Sequence, residues 1–137
     1  MTVKEVTDRN EKKRIARLIL EALPDWFGIP ESREAYIKES AALFFAAAYE
    51  GGEPIGFITL RETGRDTAEL FVMGVLKGYH RRGAGRALFE KAKAAAKGRG
   101  YSFLQVKTVR MGMYEDYDAT NRFYLALGFK EFEVFPA

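Results

Sequence analysis

The chain has 137 residues, with 22 Lys and Arg against 19 Asp and Glu, a single histidine and no cysteine. That length fits one domain spanning 1–137, able to bury roughly 65–70% of its unfolded surface without covalent staples. The composition excludes disulfides, a thiolate nucleophile and thiolate-bound zinc; His80 alone leaves a His-based metal site or a Ser-His-Asp triad poorly supplied; and a net charge of +3 is too mild to argue for nucleic acid.

In chain order, residues 2–7 alternate weakly around Val3 and Val6 and read as a first strand. Ile15, Leu18, Ile19, Ala22 and Leu23 keep the spacing of an amphipathic helix that Pro24 ends. Residues 24–30, Pro-Asp-Trp-Phe-Gly-Ile-Pro, read as a stiff aromatic loop, and Ser32 as the cap of a second helix to about Leu43. Residues 44–49 and 55–61 are β-prone runs around Gly51-Gly52, a hairpin signal, and a turn at 64–66 leads into a strand over 68–76. These three strands form an antiparallel meander. A helix over 83–97 follows, with Ala84, Ala87, Leu88, Ala92 and Ala95 on its apolar face and Gly98 and Gly100 at its end. Residues 101–109 read as a strand. Residues 118–127 read as a helix with Ala119, Phe123, Ala126 and Leu127 inward and Gly128 as its stop, and 129–135 as a last strand. The fold class is α/β, a mixed sheet flanked by helices, with no repeat or linker at which to divide it.

Residues 1–5 open without an apolar run, and the longest apolar stretch, 41–49, falls short of the ~20 residues that cross a bilayer. The expectation is a cytoplasmic protein that meets no membrane.

The segment His80-Arg81-Arg82-Gly83-Ala84-Gly85-Arg86 joins a strand to a helix. Glycines at 83 and 85 let the backbone turn and approach a ligand, and the first N–H groups of the helix have no internal partners. With the dipole and three arginines they suit a pyrophosphate. A Walker-type loop is absent, and Leu88 stands where a dinucleotide fingerprint requires glycine.

This segment resembles the signature of the GNAT superfamily of N-acetyltransferases, Gln/Arg-x-x-Gly-x-Gly/Ala between the fourth strand and the third helix, with His80 in the first place. A second match is Asn121-Arg122-Phe123-Tyr124 followed by Gly128-Phe129. The resemblance implies the GNAT-like acyl-CoA N-acyltransferase fold, elements ordered strand, two helices, three strands, helix, strand, helix, strand. The family's usual seventh strand is missing, so either the sequence is part of a longer chain or an open sheet edge can pair with a second copy as a homodimer.

What the resemblance implies about function is an acetyl-CoA-dependent N-acetyltransferase that passes the acetyl group directly to a primary amine of a small-molecule or peptide acceptor, without metal. Met73, Gly74, Val75, Arg81, Arg82, Gly83, Ala84, Gly85, Arg86 and Asn121 are the candidate coenzyme contacts. Tyr124, about 100° from Phe123 around its helix and off the central apolar stripe, is the candidate acid for the departing thiolate. Glu69 is the candidate base, and strict alternation puts Glu69, Phe71, Met73 and Val75 on one face. Trp26 and Phe27 are candidate acceptor contacts, and Glu115, Asp116 and Asp118 can attract a cationic amine or complement a helix dipole. Two other readings stand beside the enzyme: a non-catalytic acyl-CoA-binding or sensing module, and a basic nucleic-acid binder, which the interspersed charges disfavour.

Overall fold

The computed structural model describes residues 1–107 and 122–129. Its elements are β1 (Thr2–Glu5), α1 (Arg9–Glu21), α2 (Pro24–Phe27), α3 (Pro30–Ser40), β2 (Phe44–Glu50), β3 (Glu53–Gly64), β4 (Thr67–Val75), a 3-10 turn (Lys77–Tyr79), α4 (Ala84–Gly98) and β5 (Phe103–Val106). Residues 122–126 are again helical. The five strands form one sheet in chain order, β1 to β4 antiparallel and β5 parallel to β4. A parallel neighbour needs a long crossover, and α4 supplies it.

Two cores sit on the two faces. On one, Leu88, Phe89 and Ala92 of α4 meet Ile58, Leu60 and Leu70 of the sheet. On the other, Ile15, Ile19 and Leu20 of α1 and Ile37 of α3 cover Phe45, Phe57 and Val72, with the Phe45 and Phe57 rings stacked at 5.0 Å.

The α1 stripe differs from the expected one. Its buried residues are Lys12, Ile15, Ala16, Ile19 and Leu20, whereas Leu18 and Ala22 are exposed. Lys12 enters the stripe because its ammonium donates to the Leu43 carbonyl at 2.6 Å, while burial pulls its pKa below the usual lysine value. The expected aromatic loop holds a short helix, α2, begun by Pro24. Ser32 does not cap α3: Pro30 starts that helix, Ile29 precedes it, and it stops at Ser40. The buried face of α4 is Ala84, Leu88, Phe89, Ala92 and Ala96, so Phe89 and Ala96 replace Ala87 and Ala95. In 122–127 Ala126 is exposed and Phe123, Tyr124 and Leu127 are partly buried. The remainder of that helix and the expected last strand lie outside the described residues.

Candidate active site

β4 carries the site because its pairing changes along its length. It pairs with β5 over Thr67 to Leu70 only, through Leu70 opposite Val106. Beyond Leu70, residues 71–75 have no strand on that side among the described residues. The direction of their amides follows from the β3 ladder. The Leu76 N–H donates to the Ile55 carbonyl at 2.8 Å, which makes that a hydrogen-bonded pair. Bonded and non-bonded pairs alternate in an antiparallel ladder. Phe57 and Gly74 are therefore bonded, while Val75 opposite Gly56 and Met73 opposite Ile58 turn their N–H and C=O groups outward. Met73 thus offers its N–H and C=O at the open edge, and Val75 its N–H. Gly74 faces inward and serves packing: a Cβ there would meet Ile19 Cγ2 at 3.0 Å and Leu23 Cδ1 at 3.2 Å.

At its end β4 runs through the 3-10 turn into the basic loop. His80 Nε2 lies 2.6 Å from the Val75 carbonyl oxygen and ties the loop to the strand. Arg81 (φ 62°) and Gly83 (φ 84°) are left-handed, which turns the chain into α4. Ala87 N–H to Gly83 C=O is the first helical bond, at 3.0 Å, and no side chain caps the helix. The amides of Ala84, Gly85 and Arg86 precede that bond and point out of the helix start. Arg81, Arg82 and Arg86 are exposed around them, with the Arg82 guanidinium 5.7 Å from the centre of the Tyr79 ring.

Gly85 plays a different part from the ligand approach expected of it. An added Cβ would sit 3.0 Å from Phe123 Cζ, so this glycine lets the 122–126 helix press against the start of α4. That helix ends in a Schellman closure: Gly128 is left-handed (φ 104°), its N–H donates to Leu125 C=O at 3.0 Å, and Phe129 N–H donates to Tyr124 C=O at 3.1 Å. Phe129 then packs on both Tyr124 and Phe89, at 5.8 and 5.5 Å between ring centres. Tyr124 is consequently held within the α4-side core and shares its cluster with Met73 and Val75. It is not off the apolar stripe, as its helical angle suggested. Burial pushes the phenol pKa up to about 12.

Glu69 lies elsewhere. Between Ile58–Met73 and Leu60–Leu70 the ladder takes two steps on β3 and three on β4, a bulge that switches the faces. Met73 and Val75 join the α4 side, whereas Phe71 and Val72 belong to the α1 and α3 side. Glu69 pairs with Arg61, on the face opposite Leu70, so it shares Phe71's side and not that of Met73 and Val75. Strict alternation fails there. Glu69 is 3% exposed; Arg61 Nη2 reaches its Oε2 at 2.7 Å, and Lys107 Nζ its Oε1 at 3.6 Å. Arg61 also stacks over Phe71, at 4.3 Å from the ring centre. Sequence reading missed both partners; Arg61, at the polar end of an apolar strand, was the available signal.

Trp26 and Phe27 separate. Trp26 meets His80 edge-on at 6.0 Å, and its neighbour Asp25 accepts from Lys77 Nζ at 2.7 Å, so α2 is clamped to the basic loop. Phe27 packs on Tyr36 and Tyr36 on Phe71, at 5.9 and 5.4 Å. Asn121, Glu115, Asp116 and Asp118 lie outside the described residues.

The family model described as "Acetyltransferase (GNAT) family" matches residues 12–129. The chain belongs to the GNAT acetyltransferase family. Among solved structures it is similar to an aminoglycoside acetyltransferase, HMB0005, from an uncultured soil metagenomic sample, at 22% identity and TM-score 0.74, covering 100% of this chain and 97% of that one. It is also similar to AAC(6')-Iy in complex with the bisubstrate analogue CoA-S-monomethyl-acetylneamine, at 19% identity and TM-score 0.75 with the same coverage. A third is the PaiA N-acetyltransferase from Thermoplasma acidophilum in complex with coenzyme A, at 20% identity and TM-score 0.71, covering 95% and 91%. No curated protein sequence matches the chain. At these identities the GNAT structures establish the shared fold. No helix among the described residues is long and apolar enough to cross a membrane.

Proposed function

We propose that this protein is an N-acetyltransferase that takes the acetyl group of acetyl-CoA and passes it directly to a primary amine of a small-molecule or peptide acceptor. The observation that carries the reading is a pair of polar features on one strand-to-helix segment: the outward amides at Met73 and Val75, and the uncapped, arginine-flanked start of α4. An extended amide-bearing arm ending in a diphosphate suits those two features, and the similar acetyltransferase structures solved with coenzyme A or a CoA analogue support the reading. Arg81, Arg82 and Arg86 would supply charge to the diphosphate, and Asn121 is a further candidate contact.

In this reading the Met73 or Val75 N–H polarises the carbonyl under attack. Tyr124, on the same side of the sheet, gives its proton to the departing thiolate; a phenol at about 12 keeps that proton throughout the neutral range. Glu69, on the α3 side and engaged by Arg61, is the candidate that takes the ammonium proton. Trp26 and Phe27 are proposed to border the acceptor. The test is calorimetric titration with CoA, followed by thiol release from acetyl-CoA across a panel of amines. Absence of CoA binding refutes the reading; binding with no release for any amine refutes transfer and favours a sensing module.

A further inference from the structure

Thr59 is fully buried between Phe57 and Leu60 in an otherwise apolar run, opposite Phe45 of β2. Its hydroxyl is spent on β4. Thr59 Oγ1 accepts the Val72 N–H at 3.1 Å and donates to the Val72 carbonyl at 3.3 Å. Val72 sits in the bulge, where the β3–β4 register slips. A buried N–H and C=O without partners are costly, so an irregular ladder at this depth is steadied by a further hydrogen-bonding partner. One hydroxyl, both acceptor and donor, provides it.

We propose that Thr59 is a positioning residue for coenzyme binding: by bonding both polar groups of Val72, it fixes the bulge and so the outward direction of the Met73 and Val75 amides. The inference rests on the reading of that edge as the coenzyme site. The physical sequence is short. Val72 is drawn inward by the hydroxyl, and its neighbour Met73 must then turn outward, as must Val75 two residues on. Without the hydroxyl, the bulge is free to slide along the strand, which carries Met73 and Val75 to new directions. A sheet that is merely well packed has no need of a hydroxyl here; valine fills the same volume.

The two ends of the coenzyme separate this role from general stabilisation. ADP, which carries the diphosphate without the amide-bearing arm, contacts the α4 start alone, whereas CoA also reaches β4. Calorimetric titrations of the wild type, Thr59→Val and Thr59→Ser with CoA and with ADP read the two ends in turn. The expected result is a loss of about tenfold in CoA affinity for Thr59→Val, the effect of one or two hydrogen bonds, with ADP affinity changed less than about twofold and Thr59→Ser near wild type. Equal CoA affinity in Thr59→Val and wild type overturns the inference while leaving the coenzyme site standing. A parallel fall for ADP also overturns it, since the loss is then not confined to β4. A wild type that binds ADP but not CoA removes the coenzyme reading and this inference with it.

Should Thr59→Val not fold, amide exchange in the wild type carries the same decision. Val72 should be protected without ligand, and Met73 and Val75 should exchange freely until CoA is added. Protection of all three amides in the free protein, or none by CoA, overturns the inference.

Discussion

His80 Nε2 lies 2.6 Å from the carbonyl oxygen of Val75, so the first residue of the basic loop is anchored to the last residue of the strand before it. The imidazole is also covered edge-on by Trp26. Removing it frees the loop at its entrance without touching the amides of Ala84 to Arg86. His80→Ala is expected to raise the KM for acetyl-CoA about 3- to 10-fold, the range of a single lost hydrogen bond, with a smaller change in kcat. His80→Gln keeps a donor of similar reach and should recover part of the loss. Steady-state kinetics with acetyl-CoA varied at saturating amine provides the check.

Tyr124 is partly buried, packs against Phe129 and carries a phenol with no charge partner among the described residues. Tyr124→Phe should lower kcat by roughly 10²–10⁴-fold, the usual worth of a positioned acid, while CoA affinity by calorimetry stays within about twofold. Unchanged kcat would remove Tyr124 from the chemistry.

The same side chain makes a statement about alkaline stability. Its folded-state pKa of about 12 exceeds the unfolded value of 10.0, so folding favours the protonated phenol. The associated stability is complete below pH 10 and declines as pH rises from about 10 through about 12. Chemical denaturation at pH 9 and pH 11 should show a smaller fall for Tyr124→Phe than for the wild type.

A Cβ at Gly85 would stand 3.0 Å from Phe123 Cζ, so the ring must shift by a few tenths of an ångström to admit it. Gly85→Ala should destabilise the protein by about 1–3 kcal/mol through overpacking, and the double variant with Phe123→Leu should recover a measurable part. Gly83→Ala acts through the backbone instead: its left-handed φ of 84° costs a side chain about 1–2 kcal/mol, and no change at Phe123 relieves it. Thermal unfolding of Gly85→Ala and Gly83→Ala, each alone and combined with Phe123→Leu, distinguishes the two mechanisms.

Much of this was readable in the amino acids. The Gly51-Gly52 hairpin, the meander and the strand-to-helix loop at 80–86 each carry a local signal, because turn chemistry and hydrophobic spacing act over a few residues. The assignment of Glu69 to the face of Met73 and Val75 failed for an equally physical reason. Period-two counting assumes an unbroken ladder, and the bulge opposite Thr59 shifts it by one. Neither the Glu69–Arg61 pair nor the two hydrogen bonds between the Thr59 hydroxyl and Val72 have a signature in spacing, since each depends on cross-strand register. Tyr124 was recognised by motif, but its burial follows from the Gly128 closure that folds Phe129 back onto it.

The parallel placement of β5 beside β4 also bears on how the molecule assembles. β2, β3 and β4 can join through short turns, while β5 can pair only after α4 has crossed the sheet. Contacts that close long loops form late, because chain entropy must be surrendered first. The seam between β4 and β5 is therefore expected to be among the last parts of the sheet completed during folding. In pulse-labelled refolding, amides shared by β2 and β3 should gain protection ahead of those joining β4 to β5.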